Sequence, residues 1–286
     1  MTAVTEVRPR RSFLFVPGTG TQMFAKAVAA GPDIVCVDLE DAVAPPHKTQ
    51  ARRDTLALFA GMTALPACET LIRVNGLRSR EGLEDLLAIL DCAHPPHGLM
   101  LPKVKHAEEI AQLDEILTAA GSTLRLQVII ETNEGLEHAH AIAGASPRID
   151  ALLFGAIDMA AELRVEPSWD ALLYARSRLV HAAAAAGIDL IDVPFLDLED
   201  AVGLEQAAAR ACALGMTGKG AIHPKQLPVI TRCFTPDAAA VAHARRIIEA
   251  FEAADGGLVV VDGKLIEKPV LRSMARVLAV AARGSA

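Results

Sequence analysis

The sequence predicts an α/β fold, a (β/α)₈ TIM barrel over residues 1–253 with a short C-terminal extension over 254–286 that could pack on a neighbouring subunit. Three observations carry this. Eight short apolar, β-branched runs alternate with stretches of helical spacing. The runs recur about every 30 residues, the size of one strand–helix unit, and eight such units close a barrel. No linker rich in Gly, Ser or Pro breaks the alternation before position 254.

Taken in order, the first run is SFLFV (12–16), stopped by Pro17-Gly18-Thr19-Gly20. DIVCVDL (33–39) and TLIRV (70–74) come next, and the helical stretch EGLEDLLAILDCA leads from the third run to GLMLP (98–102). AEEIAQLDEILTAAG separates the fourth run from LQVIIE (126–131), which is followed by ALLFGA (151–156). WDALLYARSRLVHAAAAAG then leads to IDLIDV (188–193), and EQAAARACALG to KGAIH (219–223). Gly121 and Gly187 end their helical stretches in the manner of C′ residues, where a left-handed backbone suits glycine. AADGG separates a long helix ending near Ala253 from LVVVDGKLIEKPVLRSMARVLAV, which reads as a short strand or loop and then a terminal helix. Asp-Leu-Glu-Asp occurs at 38–41 and again at 197–200, in different contexts, and reads as coincidence on a quasi-repeating fold.

A chain of 286 residues with 52% hydrophobic content can bury a large core. Its net charge of −7, single Trp169 and single Tyr174 argue against a basic, aromatic-studded surface for nucleic acid. Five scattered cysteines without a CxxC pair argue against a disulfide frame or structural zinc, and a reducing cytoplasm is the expected location. The first ten residues lack the organisation of a signal peptide, and no stretch approaches the roughly 18 uncharged apolar residues of a membrane span.

In a closed parallel barrel the C-terminal strand ends converge on one cavity. Here those ends carry Asp38, Glu40 and Asp41, then Arg73 and Asn75, Lys103, Glu131, Asp158, Asp192 and His223. Glu131 and Asp158 lie 27 residues apart, about one repeat, on the same rim. Two carboxylates completed by water make a hard-oxygen site for Mg²⁺ or Mn²⁺; the alternative is a pair of acids capping helices or bridging to bases. Arg73, within a β-rich run, requires an anion: either Glu40 or another barrel acid, or a substrate carboxylate gripped by the guanidinium fork. Gly18-Thr-Gly20 with Asp38 about 20 residues on also fits the opening of a dinucleotide fold, but Met23 stands where its third glycine belongs. Lys103 could form a Schiff base or pair with Glu40 or Asp41, and His138 and His140 read as solvated. The absence of a GxSxG elbow or a Cys–His pairing disfavours a hydrolytic triad.

RSFLFVPG (11–18), VDLEDAV (37–43), IRVNG (72–76), LMLPKV (99–104), IIETNEG (129–135), LLFGAIDMAAEL (152–163), LYARSRLV (173–180) and GKGAIHPKQL (218–227), in this order, resemble the citrate lyase β-subunit-like (CitE-like) branch of the HpcH/HpaI aldolase family, which includes malyl-CoA and citramalyl-CoA lyases. The resemblance implies a TIM barrel, usually a homotrimer (a hexamer in some settings), that uses Mg²⁺ to cleave or form a carbon–carbon bond in a 3-hydroxyacyl thioester. The products would be acetyl-CoA and a small keto acid such as glyoxylate, pyruvate or oxaloacetate. By the same resemblance Glu131 and Asp158 hold the metal, Arg73 holds the keto-acid carboxylate, and Phe15, Gln22, Lys26, Glu40, Ile222 and His223 line the substrate and thioester positions. Two departures stand out. The relatives' Met-Ile-Asp-x-Pro, whose aspartate serves as acid/base in a neighbouring subunit, reads Leu265-Ile266-Glu267-Lys268-Pro269 here. Glu267 keeps the carboxyl group on a longer arm; otherwise it pairs with Lys264 or Lys268. Gln22 stands where some relatives carry a lysine near the CoA phosphates. The alternatives are a citrate lyase β subunit acting on an acyl carrier protein, a malyl-CoA thioesterase, or a non-catalytic protein that binds keto acid and CoA.

Overall fold

The structure is a computed structural model and describes residues 8–254, 259–266 and 268–283. It forms two compact units, Arg10–Thr231, and Arg232 onward together with Arg8 and Pro9. In the first, β1 (Ser12–Pro17), α1 (Phe24–Ala29), β2 (Ile34–Asp38), α2 (Lys48–Ala60), β3 (Glu69–Arg73), α3 (Arg80–Leu90), β4 (Gly98–Leu101), α4 (Ala107–Ala119) and β5 (Arg125–Ile130) make the first half. The second half runs through α5 (Asn133–Glu137), α6 (Ala139–Ala143), β6 (Ile149–Phe154), α7 (Ala156–Leu163), α8 (Leu173–Ala186), β7 (Asp189–Asp192), α9 (Ala201–Leu214), β8 (Gly218–Ala221) and α10 (Leu227–Phe234), the last crossing into the next unit. The eight strands are parallel, pair in sequence order, and close through β1 and β8. The expected barrel is therefore present, with each strand within two or three residues of its apolar run.

Side chains of a strand alternate between its two faces, so every second residue points into the barrel. Phe13, Ile34, Cys36, Leu71, Met100, Ile129, Ala151, Leu153 and Ile191 fill the interior as one buried cluster, with Phe15 packed against it. Two residues further along the same faces stand Asp38, Arg73 and Glu131 at the mouth. Two residues back stand Glu69, Gln127 and Asp189 at the floor, where Arg10 joins three strands: it bonds Glu69 of β3 (2.7 Å), Asp150 of β6 (3.0 Å) and Asp189 of β7 (3.2 Å). Gln127 completes this floor by donating to Glu69 at 3.1 Å.

In the second unit α11 (Ala238–Ala253), capped by Asp237, packs with the antiparallel hairpin β9 (Val259–Val261) and β10 (Lys264–Ile266) and with α12 (Lys268–Arg283). Ile247, Val259 and Ile266 form its core with Phe251, Val270, Leu271 and Met274. The compact boundary thus falls ahead of the 253/254 division expected from the sequence, because α11 shares a core with β9, β10 and α12. The loop-or-strand reading of 259–266 also sharpens: Asp262 and Gly263, both at positive φ (50° and 75°), form the two-residue turn that Asp-Gly favours between strands. Glu267 lies outside the described residues. No helix among them is long and apolar enough to cross a membrane.

Removing Arg10 takes the nearest cation from buried Glu69 and an ion-pair partner from Asp150, which keeps Arg125, and from Asp189. Arg10→Met is expected to lower the unfolding free energy by about 3–5 kcal/mol, read from urea denaturation, because a buried charge left without its partner is costly.

Candidate active site

Arg73 ends β3 at the mouth, and Asp38 ends the adjacent β2; the two are register partners. Asp38 is 2% exposed and grips the fork side-on, Oδ1 accepting from Nε at 2.7 Å and Oδ2 from Nη2 at 2.5 Å. The same carboxylate accepts the backbone amides of Glu40 (2.8 Å) and Ala42 (3.1 Å), so one acid holds both the arginine and the loop after β2. The Phe15 ring supports the guanidinium, whose carbon lies 5.2 Å from the ring centre. Of the five donors of a guanidinium, Asp38 takes one on Nε and one on Nη2. Glu40 Oε2 lies 3.1 Å from Nη1 yet forms no hydrogen bond, and Asp41 Oδ2 stands 3.8 Å from the same nitrogen, so the outer end of the fork carries donors that the described side chains approach without hydrogen-bonding. The barrel-acid partners expected for Arg73 are present, with Asp38 the main one and Glu40 beside it.

Glu131 follows β5 and is 3% exposed. Asp158 does not end a strand but sits in the first turn of α7, one loop after β6, and the two carboxyl groups are within hydrogen-bond reach. Gly155 makes this approach possible. A Cβ there would lie 2.4 Å from Glu131 Cβ and 2.6 Å from its Oε2, so no larger residue fits while Glu131 keeps its place. Burial, then the charges of Asp158 and Glu40, push the Glu131 carboxyl up to about 8, with the Lys103 amide pulling the other way. That amide donates to Glu131 Oε1 at 2.8 Å. Among the described residues no group of three or more His, Cys, Asp and Glu side chains is arranged to hold a metal. A cation here would rest on Glu131 and Asp158 and take its other oxygens from water and ligand, as Mg²⁺ commonly does. A buried carboxylate beside a second, half-buried one suits such an ion.

Lys103, two residues past β4, bonds Glu40 Oε1 through its ammonium and reaches Asp41 at 3.4 Å, the ion-pair alternative rather than a free amine. Burial raises the Glu40 carboxyl, and Lys103 and Arg73 oppose that rise. Asn75 lies one step from the mouth and is structural: its amide and Nδ2 donate to buried Asp85, which also holds Arg52 at 2.6 Å. Gln22, on the turn after β1, and Lys26, in α1, are exposed. Ile222 and His223 are exposed where β8 ends, their amides gathered by the side chain of Gln226. These four stand apart from the ion-pair network. Glu267, placed in the site by resemblance, lies outside the described residues. The mouth residues whose roles the sequence left unassigned are Asp38, visible as an acid closing a strand, and Gly155, whose need for a bare Cα is not legible in a one-dimensional pattern.

A buried acid held protonated ionises at a cost as pH rises. Its unfolded form ionises near 4.5 and its folded form near 8, so this site loses stability from about pH 4.5 upward and the full penalty stands above pH 8. In metal-free protein Glu131→Gln is expected to raise the unfolding free energy by roughly 2–4 kcal/mol at pH 9 and by little at pH 4, measured by thermal melts across that range.

A family model described as HpcH/HpaI aldolase/citrate lyase matches residues 11–224, every element from β1 to β8. An L-malyl-CoA/β-methylmalyl-CoA lyase of Cereibacter sphaeroides is 35% identical over 91% of this chain and 91% of its own. The citrate lyase subunit β of Escherichia coli is 36% identical over 93% of this chain and 91% of its own. The solved structure of CitE from Mycobacterium tuberculosis in complex with magnesium, acetoacetate and coenzyme A superposes with a TM-score of 0.77 at 30% identity, covering 95% of this chain and 97% of the other. With the family model matching from β1 to β8 and relatives 35% and 36% identical over more than nine-tenths of both chains, the chain belongs to the HpcH/HpaI aldolase/citrate lyase family.

Proposed function

We propose that this chain is a Mg²⁺-dependent carbon–carbon lyase that cleaves, or in reverse forms, a 3-hydroxyacyl-CoA thioester of malyl-CoA or citramalyl-CoA type, giving acetyl-CoA and a 2-keto acid. The observation that carries it is the pairing of Glu131 with Asp158 at the same mouth as an arginine whose inner edge is taken by Asp38. Support comes from the relatives: a malyl-CoA lyase over nearly the full length, and a structural neighbour holding magnesium, a keto acid and coenzyme A together.

In the cleavage direction the 3-hydroxyl gives up its proton and the C2–C3 bond breaks. Its electron pair passes into the thioester as an enolate, and a proton added at C2 yields the acetyl thioester. The chain's own groups divide this work. Arg73 orients the acid's carboxylate in two-pronged fashion, rigid because Asp38 holds the other side of its fork. Glu131 and Asp158 hold the Mg²⁺, whose contribution when bound is to polarise the oxygens of the small acid. We assign the proton transfers to Glu267, reaching in from a neighbouring subunit of a homotrimer. The exposed Gln22, Lys26, Ile222 and His223 receive the thioester arm. The scattered, odd-numbered cysteines favour a reducing cytoplasm.

Cleavage of citryl thioester on an acyl carrier protein is the second reading, favoured by a citrate lyase subunit β that is 36% identical. Malyl-, methylmalyl-, citramalyl- and citryl-CoA, and citryl thioester on an acyl carrier protein, incubated with and without Mg²⁺ and resolved by mass, separate these. The lyase reading expects acetyl- or propionyl-CoA with glyoxylate or pyruvate, abolished by EDTA. A folded protein that releases no keto acid from any ester sinks it, and activity confined to carrier-bound citryl thioester favours the second. Glu131→Gln and Asp158→Asn are each expected to lower kcat/KM by about 10²-fold or more. Arg73→Lys is expected chiefly to raise KM for the keto acid in the condensation direction, because an ammonium cannot reproduce the two-pronged grip. Light scattering on the eluting protein tests the trimer.

A further inference from the structure

Three non-glycine residues among those described have positive φ. Arg164 (60°) ends α7 as its C-cap, and Asp262 (50°) makes the β9–β10 turn, both places where the chain must reverse. Lys103 (55°) has no such excuse: it lies in the connection from β4 to α4, and a side chain at this φ is sterically disfavoured. Its neighbours impose the conformation. The amides of Lys105 and His106 both donate to Glu109 at 2.9 Å, and the Val104 carbonyl is so close to α5 that a Cβ on Gly135 would stand 2.4 Å from it. Strain held in place by its surroundings concentrates where a group must be aimed. Here it aims two groups of one residue at two acids: the Lys103 amide at Glu131 and the Lys103 ammonium at Glu40.

The consequence for Arg73 runs through Glu40. With Oε1 bonded to Lys103, Oε2 faces Arg73 Nη1 at 3.1 Å without a hydrogen bond. Without the ammonium, Glu40 turns fully onto Nη1 and competes with any ligand carboxylate for the outer edge of the fork. We propose that Lys103 is a positioning residue with two separable actions: its main chain fixes the metal-binding carboxylate Glu131, and its side chain keeps Glu40 from occupying the arginine that receives the keto acid. This rests on the lyase reading and adds a residue to it.

The two actions come apart in three variants of the full chain, assayed by calorimetry with Mg²⁺ alone and then with glyoxylate, pyruvate or oxaloacetate on the Mg²⁺-loaded protein. Lys103→Met is expected to weaken keto-acid binding about tenfold or more while Mg²⁺ affinity stays within about threefold. Lys103→Gly keeps the amide at an easy φ and should behave likewise. Lys103→Val, whose branched side chain resists positive φ, should lose about 10- to 100-fold in Mg²⁺ affinity as well, the range seen when a ligand's supporting contact is removed. If the valine variant fails to fold, Lys103→Ala carries the same comparison with a smaller loss. In the condensation reaction Lys103→Met should raise KM for the keto acid with kcat within about threefold, a split that general loosening of the fold would not give. Wild-type binding with no separation between the glycine and valine variants, or with unchanged keto-acid affinity in the methionine variant, overturns the inference and leaves the lyase reading intact. A wild type that binds neither Mg²⁺ nor keto acid overturns both.

Discussion

The two-residue alternation of a strand inside a closed parallel sheet decides where every charge in this barrel stands. Once Ile34, Cys36, Leu71 and Ile129 are committed to the interior by their burial, Asp38, Arg73 and Glu131 have no choice of face. A slip of one residue in β2 or β3 would turn an apolar column outward and carry Asp38 or Arg73 with it. Hydrophobic packing therefore fixes the aim of the polar site, and the ion pair between register partners Asp38 and Arg73 then fixes its fine geometry.

That placement concentrates negative charge. Asp38, Glu40, Asp41, Glu131 and Asp158 share the mouth with Arg73 and Lys103, and each base is already engaged by acids. Desolvation makes the surplus expensive, and it falls on buried Glu131, whose burial is the largest cause of its raised carboxyl. The protein tolerates an unfavourable arrangement of its own groups there, and under the proposed lyase reading a divalent cation held by Glu131 and Asp158 would offset that cost. Stability and ligand affinity are in this sense one quantity measured at two ends.

Much of this was legible in the sequence and some of it could not be. Strands β1 to β8 were readable because each is a short β-branched run bounded by turn residues, and the acids and bases at the mouth because they close those runs. The ends were less readable: Ile222 and His223 leave the last strand because the Gln226 side chain takes their amides, a contact no propensity reports. The turn at Asp262-Gly263 carried a usable signal that the weak alternation around it hid. The two Asp-Leu-Glu-Asp segments show how little a tetrapeptide decides. Asp38 in the first clasps an arginine, whereas Asp200 in the second caps α9 by accepting from Gly203 at 2.7 Å. Lys103's backbone had no sequence signal at all, since the strain comes from loops brought beside it by the fold.

At the opposite end from the mouth, Arg10 stitches β3, β6 and β7 together beneath a packed column of Phe13, Leu71, Ile129 and Ile191. The barrel is consequently a cup rather than a tube. Anything that reaches Glu131 must therefore pass the same rim on the way in and on the way out.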